Sequence, residues 1–256
     1  MAPDRAGFDA ADPALRAAAR LGQSALEAPD VATEERLLSQ LISEYGGPKF
    51  AAEPWAGEIL GRAFGDRGNA RARQGRLEEA LADYDAAAQR APWAVDPVLN
   101  KGVALEGLGR FRDALACYEA VLDADPAEPA AWNNLGNAKL ALGDWKGAQR
   151  GYEQATRLAP QFAFSQCNLA IAVFQGGEDD ARAKRLLRGL TRKYPDFNDA
   201  HAALVALYWD AGAGEQAEDE WVRVEDPRYK DVRWLQEERR WPPRAVKAMK
   251  GFLGPA

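Results

Sequence analysis

The sequence is poor in the residues from which catalytic and metal sites are usually built. Its 256 residues include one histidine and two cysteines. His201 begins a predicted helix with no base or nucleophile beside it, and Cys117 and Cys167 lack the spacing of zinc ligands or of a disulfide framework. The phosphate-binding motif GxxxxGK(S/T) and the motifs GxSxG, HExxH and CxxC are absent. We therefore expect no catalytic residue, no metal and no cofactor, and a protein that is not an enzyme.

Long apolar runs are also missing. No segment approaches the roughly 20 apolar residues of a membrane-spanning helix, and there is no secretory signal. Acidic residues near Met1 argue against a transit peptide in this chain. Residues 1–12 combine such acids with Pro3, so we expect a disordered arm there. The remaining composition indicates a soluble helical domain.

The sequence does contain a repeat, because five positions recur with a spacing of 34 residues. They are glycine at 68, 102 and 136, glycine at 75, 109 and 143, alanine at 80, 114 and 148, tyrosine at 84, 118 and 152, and proline at 92, 126 and 160. With Trp132-Asn133-Asn134-Leu135-Gly136 at the head of one copy, this pattern resembles the tetratricopeptide repeat (TPR), a helix-turn-helix unit that stacks into a solenoid. The resemblance implies an all-α, right-handed α-solenoid without strands.

Each recurring residue has a mechanical role in such a unit. Small residues let the two helices approach closely, and the second glycine tolerates the positive φ of the turn between them. The tyrosines fill the gap toward the next repeat, and the prolines end the second helix. The acidic run Glu178-Asp179-Asp180 starts a second helix, so we assign it to capping rather than to a cation site. The predicted units are 61–94, 95–128, 129–162, 163–197 and 198–227.

The segments that flank the repeats differ in character. Residues 13–60 show helical periodicity and predict an N-terminal helical cap or one degenerate repeat. Residues 228–256 are predicted to form a C-terminal cap and tail. Residues 226–256 hold eight Lys or Arg and four acids, a charge of +4. Because the net charge of the whole chain is −6, the rest of the chain carries −10. Nucleic-acid binding is disfavoured by the acidic body.

The TPR resemblance implies a concave face, made by the first helix of each unit, that binds protein clients. A row of asparagines falls on that face: Asn69, Asn100, Asn134, Asn137 and Asn168. Asparagine offers two donors and an acceptor, which suits the backbone of an extended client. Two interpretations stay open, a peptide clamp and a set of bridges between adjacent helices.

The same face becomes apolar toward the C-terminal units. The residues there are Leu140, Ile171, Phe174 and Trp209. If exposed, they form a half-groove for a hydrophobic or helical segment; if buried, they are core between repeats.

Some TPR co-chaperones hold the acidic C-termini of heat-shock proteins with a clamp of cations and asparagines. Asn69 and Asn100 fit that pattern. However, Gly65, Ala130 and Asn134 occupy the positions of the three cations. Because bidentate recognition of carboxylates is lost, we do not expect a chaperone tail as the client.

The basic tail has two interpretations. In the first, Trp234 and Leu235 cap the last unit while basic residues pair with the acidic solenoid. In the second, residues 242–256 form a basic amphipathic helix that touches an anionic membrane surface or a partner. The residues assigned to that contact are Arg244, Lys247, Met249, Lys250 and Phe252.

The tail also carries a second resemblance. The segments 226–231 (DPRYKD), 234–235 (WL) and 239–243 (RRWPP) resemble the ending of a group of TPR proteins from chloroplasts and cyanobacteria. This resemblance implies an assembly factor for a thylakoid complex such as photosystem I, with photosystem subunits as clients and a chloroplast, thylakoid-associated location. The alternative is a generic soluble adaptor or regulatory subunit, cytoplasmic and without a photosynthetic role.

Overall fold

The computed structural model describes residues 8–254. These residues form fourteen α-helices and no strand, which confirms the all-α prediction. Two short 3₁₀ helices lie at Pro48–Phe50 and Pro227–Lys230. The α-helices are α1 (Pro13–Leu26), α2 (Val31–Tyr45), α3 (Ala56–Arg73), α4 (Leu77–Arg90), α5 (Asp96–Gly107), α6 (Phe111–Ala124), α7 (Pro129–Ala141), α8 (Trp145–Leu158), α9 (Ala163–Gly176), α10 (Asp180–Lys193), α11 (Asn198–Asp210), α12 (Gly214–Trp221), α13 (Val232–Glu237) and α14 (Pro243–Leu253).

The chain divides into two compact units, the N-unit (Met1–Pro126) and the C-unit (Ala127–Ala256). In the N-unit, α1 and α2 precede the helix pairs α3–α4 and α5–α6. In the C-unit, the pairs α7–α8, α9–α10 and α11–α12 precede α13 and α14. Helices α5 to α12 lie within the predicted units that begin at 95, 129, 163 and 198, whereas α3 begins at Ala56, before the predicted start at 61.

The segment that leads into α1 is tied to the core of the N-unit. Of the predicted arm, residues 1–7 lie outside the described residues, and residues 8–12 form a turn. The Asp12 side chain accepts hydrogen bonds from the Ala14 backbone N–H (2.8 Å) and from the Trp55 indole N–H (2.9 Å). Trp55 is buried, so this contact anchors the start of α1.

The recurring glycine and tyrosine pack against each other within one unit. A Cβ added at Gly68 would lie 2.6 Å from Cε1 of Tyr84, and one added at Gly136 would lie 2.6 Å from Cε1 of Tyr152. Both tyrosines are buried. The structure therefore places each ring on the glycine of its own first helix, where the sequence analysis directed it toward the next repeat.

The turn glycines adopt the predicted conformation. Gly75, Gly109 and Gly143 have φ of 77°, 73° and 81°. Gly177 and Gly212 take the same role in the later units, with φ of 71° and 73°. Each follows a first helix and reverses the chain at little steric cost, because glycine has no Cβ.

Helices α7 and α8 approach most closely at Gly151. A Cβ there would lie 2.9 Å from the Trp132 carbonyl oxygen and 3.1 Å from Cα of Gly136. Backbone atoms cannot move aside cheaply, so Gly151→Ala should destabilise the C-unit by about 1–3 kcal/mol. Thermal unfolding followed by circular dichroism measures the change.

The matched control is Gly189→Ala, in the exposed middle of α10. No heavy atom lies within 4 Å of a Cβ added at Gly189. We expect this variant to gain about 0.4–1 kcal/mol. Equal effects of the two substitutions would show that close packing of α7 on α8 does not limit stability.

His201 and Asp179, to which the sequence assigned no chemical role, form hydrogen bonds within the fold. His201 is buried, with Nδ1 2.6 Å from Glu220 Oε2 and Nε2 2.7 Å from the Pro195 carbonyl oxygen. The Asp179 side chain accepts a hydrogen bond from the Arg182 backbone N–H (2.8 Å) and caps α10. Both side chains are engaged in holding helices in place.

Candidate protein-interaction surfaces

A groove of about 610 Å³ lies along α3 and α5, the first helices of the two N-unit pairs. We call it the N-groove. Its lining residues are Glu58, Gly61, Arg62, Gly65, Asp66, Asn69, Ala91, Trp93, Ala94, Asp96, Pro97 and Asn100. Five of these twelve are glycine, alanine or proline.

Two of the predicted clamp residues meet at the wall of the N-groove. Asn69 Oδ1 accepts hydrogen bonds from Tyr84 Oη (2.9 Å) and from Asn100 Nδ2 (3.0 Å). Burial raises the pKa of Tyr84 to about 12, which keeps its hydroxyl a donor. Asn69 thus bridges helices, as in the second interpretation of the asparagine row. Among residues 8–254 no group donates a hydrogen bond to the side-chain Oδ1 of Asn100, and this side chain lines the N-groove.

The N-groove is acidic. Among its lining residues, the carboxylates of Glu58, Asp66 and Asp96 outnumber the one guanidinium, that of Arg62. The Arg62 Nε atom lies 3.7 Å from Asp66 Oδ2, a long and partly exposed ion pair. Burial raises the pKa of Asp66, because its carboxylate has lost water without gaining a close partner.

The sequence analysis did not single out the acidic residues of the N-groove. Asp66 and Arg62 precede Asn69 by three and seven residues, the spacing of one helix face. That spacing was the available signal. The long approach between Asp66 and its cation depends on side-chain geometry, which the sequence does not display.

In the N-unit, Asn69, Asn100 and Tyr84 form a hydrogen-bonded group that we call the asparagine joint. The same joint recurs in the C-unit, where a residue of the tail is hydrogen-bonded to it. Asn137 Oδ1 accepts hydrogen bonds from Tyr152 Oη (2.9 Å) and from Asn168 Nδ2 (3.4 Å). Asn168 Oδ1 accepts from Arg239 Nη2 (3.1 Å). Only a cavity of about 130 Å³ remains between this joint and residues 238–240. A segment of the chain's own tail therefore covers the C-unit joint.

Asn134 lies outside both joints. Its Oδ1 accepts a hydrogen bond from Nδ2 of the adjacent Asn133 (3.1 Å). The predicted row of five asparagines is thus one joint in each unit and a fifth residue paired with its neighbour.

The apolar half-groove predicted for the C-terminal units is not open. Ile171 and Phe174 are only 3% and 2% exposed, and Leu140 packs against the same core. Helix α14 contacts α9 and α11, the first helices that carry this face. Trp209 stays 38% exposed, and its ring meets that of Phe252 with centroids 5.5 Å apart. Of the two alternatives for this face, the structure therefore shows the buried one, because the C-terminal helix fills it.

Arg244 fixes the start of α14 on this face. Its guanidinium donates to Asp180 Oδ2 (2.7 Å), to Asp210 Oδ2 (2.7 Å) and to the Phe174 carbonyl oxygen (2.5 Å). Its Cζ lies 4.2 Å from the centroid of the Phe174 ring. Two carboxylates, a carbonyl and an aromatic face together form a site for one guanidinium.

The tail residues assigned to a membrane or partner contact are divided between core and solvent. Met249 is fully buried, and the Phe252 ring lies against tryptophans of α11 and α12, at 5.5 and 5.4 Å. Lys247 and Lys250 are exposed. In the structure the apolar side of α14 packs within the C-unit, so a membrane or partner contact through Met249 and Phe252 would require that side to leave the core.

The segment before α14 is held on α11. Tyr229 Oη and Arg239 Nε both donate to Asp199 Oδ1, at 2.5 and 2.6 Å. Leu235 and Trp241 are buried in the C-unit core. These contacts are those expected of a cap on the last helix pair.

Both cysteine thiols lie in surroundings that disfavour their reactive form. Burial raises the pKa of the Cys167 thiol and of the Cys117 thiol, which disfavours their nucleophilic form. No group of three or more His, Cys, Asp or Glu is placed to hold a metal in this part of the chain. None of the helices formed by these residues is long and apolar enough to cross a bilayer.

Comparisons with known proteins agree on one architecture. A family model described as tetratricopeptide repeat matches residues 99–161. A tetratricopeptide repeat protein from Parabacteroides merdae is similar, with 16% identity, a TM-score of 0.69 and 91% of each chain covered. YrrB, a TPR protein with an unusual peptide-binding site, has 18% identity and a TM-score of 0.55, with 82% of this chain and 96% of that chain covered. No curated protein matches the chain.

These similarities establish the class of the fold. The chain forms an α-solenoid of TPR-type helix-turn-helix repeats, as the 34-residue spacing predicted. Proteins of this class bind peptide or protein partners on the surfaces that their stacked repeats present. The N-groove lies along the first helices of two such units.

Proposed function

We propose that this protein is a non-enzymatic scaffold that binds an extended, basic segment of a client protein in the N-groove. The observation that supports this proposal is the asparagine joint, which occurs in both units. In the C-unit, Asn168 Oδ1 accepts a hydrogen bond from the Arg239 guanidinium. Asn100 stands two repeats earlier at the same ladder position, on the wall of an open groove. A client guanidinium, ammonium or backbone N–H would take the equivalent place there.

The charges of the N-groove specify the client further. The carboxylates of Glu58, Asp66 and Asp96 line it, so a Lys or Arg side chain would be attracted and an acidic segment repelled. At Gly65 the nearest heavy atom to an added Cβ would be Pro97 Cγ, 3.8 Å away, so the wall of the N-groove is not crowded there. An extended segment fits this arrangement because its backbone is free to pair with the groove while its side chains alternate in direction.

We expect Asn100→Ala and Asp66→Asn each to weaken client binding about 10-fold. The first removes a hydrogen bond to a charged group, and the second removes the negative charge that faces the client cation. Peptides selected from a random phage library on the full-length chain serve as probes. Fluorescence polarisation of the selected peptides then gives the dissociation constants for wild type and variants. The selected sequences should be enriched in Lys and Arg.

The matched control is Glu119→Gln, an exposed acid on α6 in the same unit. It removes one negative charge outside the N-groove and should leave affinity within about twofold. Selected peptides that bind Asn100→Ala and Asp66→Asn as tightly as wild type would contradict the proposal.

For the cellular role, we propose that the protein is an assembly factor for a thylakoid complex such as photosystem I. It would then be located at the thylakoid of a chloroplast. This part rests on the tail residues 226–243 alone. Affinity purification from detergent-solubilised photosynthetic cells should recover photosystem subunits with wild type and fewer with Asn100→Ala. Recovery of soluble proteins only would favour the generic adaptor or regulatory subunit in the cytoplasm.

A further inference from the structure

We propose that the face formed by α9 and α11 is a second docking site, which takes an amphipathic partner helix with an arginine in its first turn. Helix α14 occupies this site in the same chain until the partner displaces it. The proposal goes beyond client binding in the N-groove, because it concerns another unit and a helical rather than an extended segment.

The occupant defines the chemistry that the site accepts. The guanidinium site of Asp180, Asp210 and Phe174 takes the arginine of the first turn. The backbone N–H of Arg244 donates to Gln175 Oε1 (2.8 Å), which fixes where the helix begins.

The apolar side of the docked helix follows from the same register. Ala245, Ala248 and Met249 are buried one, four and five residues after the arginine. Phe252, eight residues after it, packs on the partly exposed Trp209. A partner helix needs an arginine, then small and long apolar residues at this helical spacing.

The connection between α13 and α14 carries features that favour release. Arg240 has φ of 56°, a left-handed conformation that is unfavourable for a residue with a Cβ. The next residue, Trp241, buries its indole N–H without an acceptor among residues 8–254. A buried donor left unpaired is also unfavourable. Both features lie at the connection into α14, which is the point where α14 would separate from the cap.

The rest of the tail is anchored independently of α14. Asp199 holds Tyr229 and Arg239 on α11. Beyond residue 241, α14 is fixed by Arg244 and by its apolar side, while Lys247 and Lys250 face solvent. Release at residues 240–241 would therefore expose the face of α9 and α11 and leave the cap on α11 in place.

The test uses a fluorescein-labelled peptide of residues 242–254 and the full-length chain. In Arg244→Gln the docked helix loses its anchor, so a peptide added in trans meets a weaker competitor. We expect this variant to bind the peptide at least about 10-fold more tightly than wild type, since a tethered segment acts at millimolar effective concentration. Lys247→Gln removes the same charge from the solvent side of α14 and should bind as wild type does. A peptide with glutamine in place of its arginine should not bind.

Equal peptide affinity of wild type and Arg244→Gln would overturn the proposal, provided that their circular dichroism spectra agree. Self-association of the chain without peptide binding would also overturn it, in favour of an exchange of α14 between two copies. Hydrogen exchange of the wild type is independent of any variant. Amides of α14 should exchange at least about 10-fold faster than those of α9 and α11, and equal rates would show that α14 is a fixed part of the core. None of these results depends on the N-groove.

Discussion

Asp199→Ala is expected to lower the free energy of unfolding of the C-unit by about 3–5 kcal/mol, because it leaves a partly buried guanidinium without its carboxylate. Asp199 is 7% exposed. Its Oδ1 accepts from Tyr229 Oη and Arg239 Nε, 30 and 40 residues further along the chain. Removal of the carboxylate would unpair both donors and loosen the cap on α11.

Urea unfolding followed by circular dichroism measures this loss. Asp219→Ala, an exposed acid on the neighbouring α12, is the control. It should change stability by less than about 0.5 kcal/mol. If the two variants were equally stable, the contacts of Asp199 would not be what holds residues 229–239 on the C-unit.

Asp83→Ala is expected to destabilise the N-unit by about 3 kcal/mol, for the same physical reason. Asp83 is 2% exposed. Its two oxygens accept from Arg67 Nε (3.0 Å) and Arg67 Nη2 (2.6 Å), and Arg71 Nη1 lies 3.0 Å from Oδ2. The carboxylate thus joins α4 to two arginines of α3. Its loss would leave the Arg67 guanidinium without a carboxylate, beside Arg71, which keeps its pair with Glu35.

A matched comparison is available two residues further along α4. Asp85 pairs with Lys101 at 2.5 Å, but both side chains are substantially exposed. Asp85→Ala should therefore lose less than about 1 kcal/mol. Thermal unfolding of both variants distinguishes the two environments. A loss at Asp85 as large as that at Asp83 would contradict the assignment of stability to the buried pair.

Local features of the fold were predictable because they depend on neighbours in sequence. The 34-residue ladder predicted helix pairs, and the turn glycines Gly75, Gly109 and Gly143 have the positive φ that their role requires. Asp179 caps α10 as the acidic run indicated. In these cases backbone sterics and near-neighbour hydrogen bonds decide the conformation.

The occupation of the C-unit face was not predictable from periodicity. Phe174 falls on a binding position of its helix, yet it is buried because α14 returns to that face from 70 residues away. The tail did contain a signal, since Ala245, Met249 and Phe252 form an apolar side that requires a cover. Which surface supplies that cover depends on tertiary contacts such as those of Arg244.

Parts of the candidate site were predictable and others were not. Asn69 and Asn100 were placed on one face by the repeat register, and the structure brings them together at 3.0 Å. Their bridging of helices and the exposure of Asn100 Oδ1 to a client follow from side-chain geometry. The acidic character of the N-groove depends on Asp66, whose burial and distant ion pair appear only in the folded chain.

The two units thus present related joints in different states. In the N-unit the joint borders an open acidic groove, and in the C-unit Arg239 of the tail covers it. The hydrogen bond from Arg239 to Asn168 in the C-unit shows the kind of contact that we propose for a client cation at Asn100 in the N-unit. In the function we propose, one unit binds an extended basic segment and the other exchanges its own helix for a partner helix.

Hydrogen exchange of the full-length chain, with and without a selected basic peptide, tests the central claim most directly. The account predicts slower exchange in α3 and α5, which border the N-groove, and unchanged exchange in α9 and α11. Slower exchange confined to α9 and α11, or no change in α3 and α5 at saturating peptide, would contradict client binding in the N-groove.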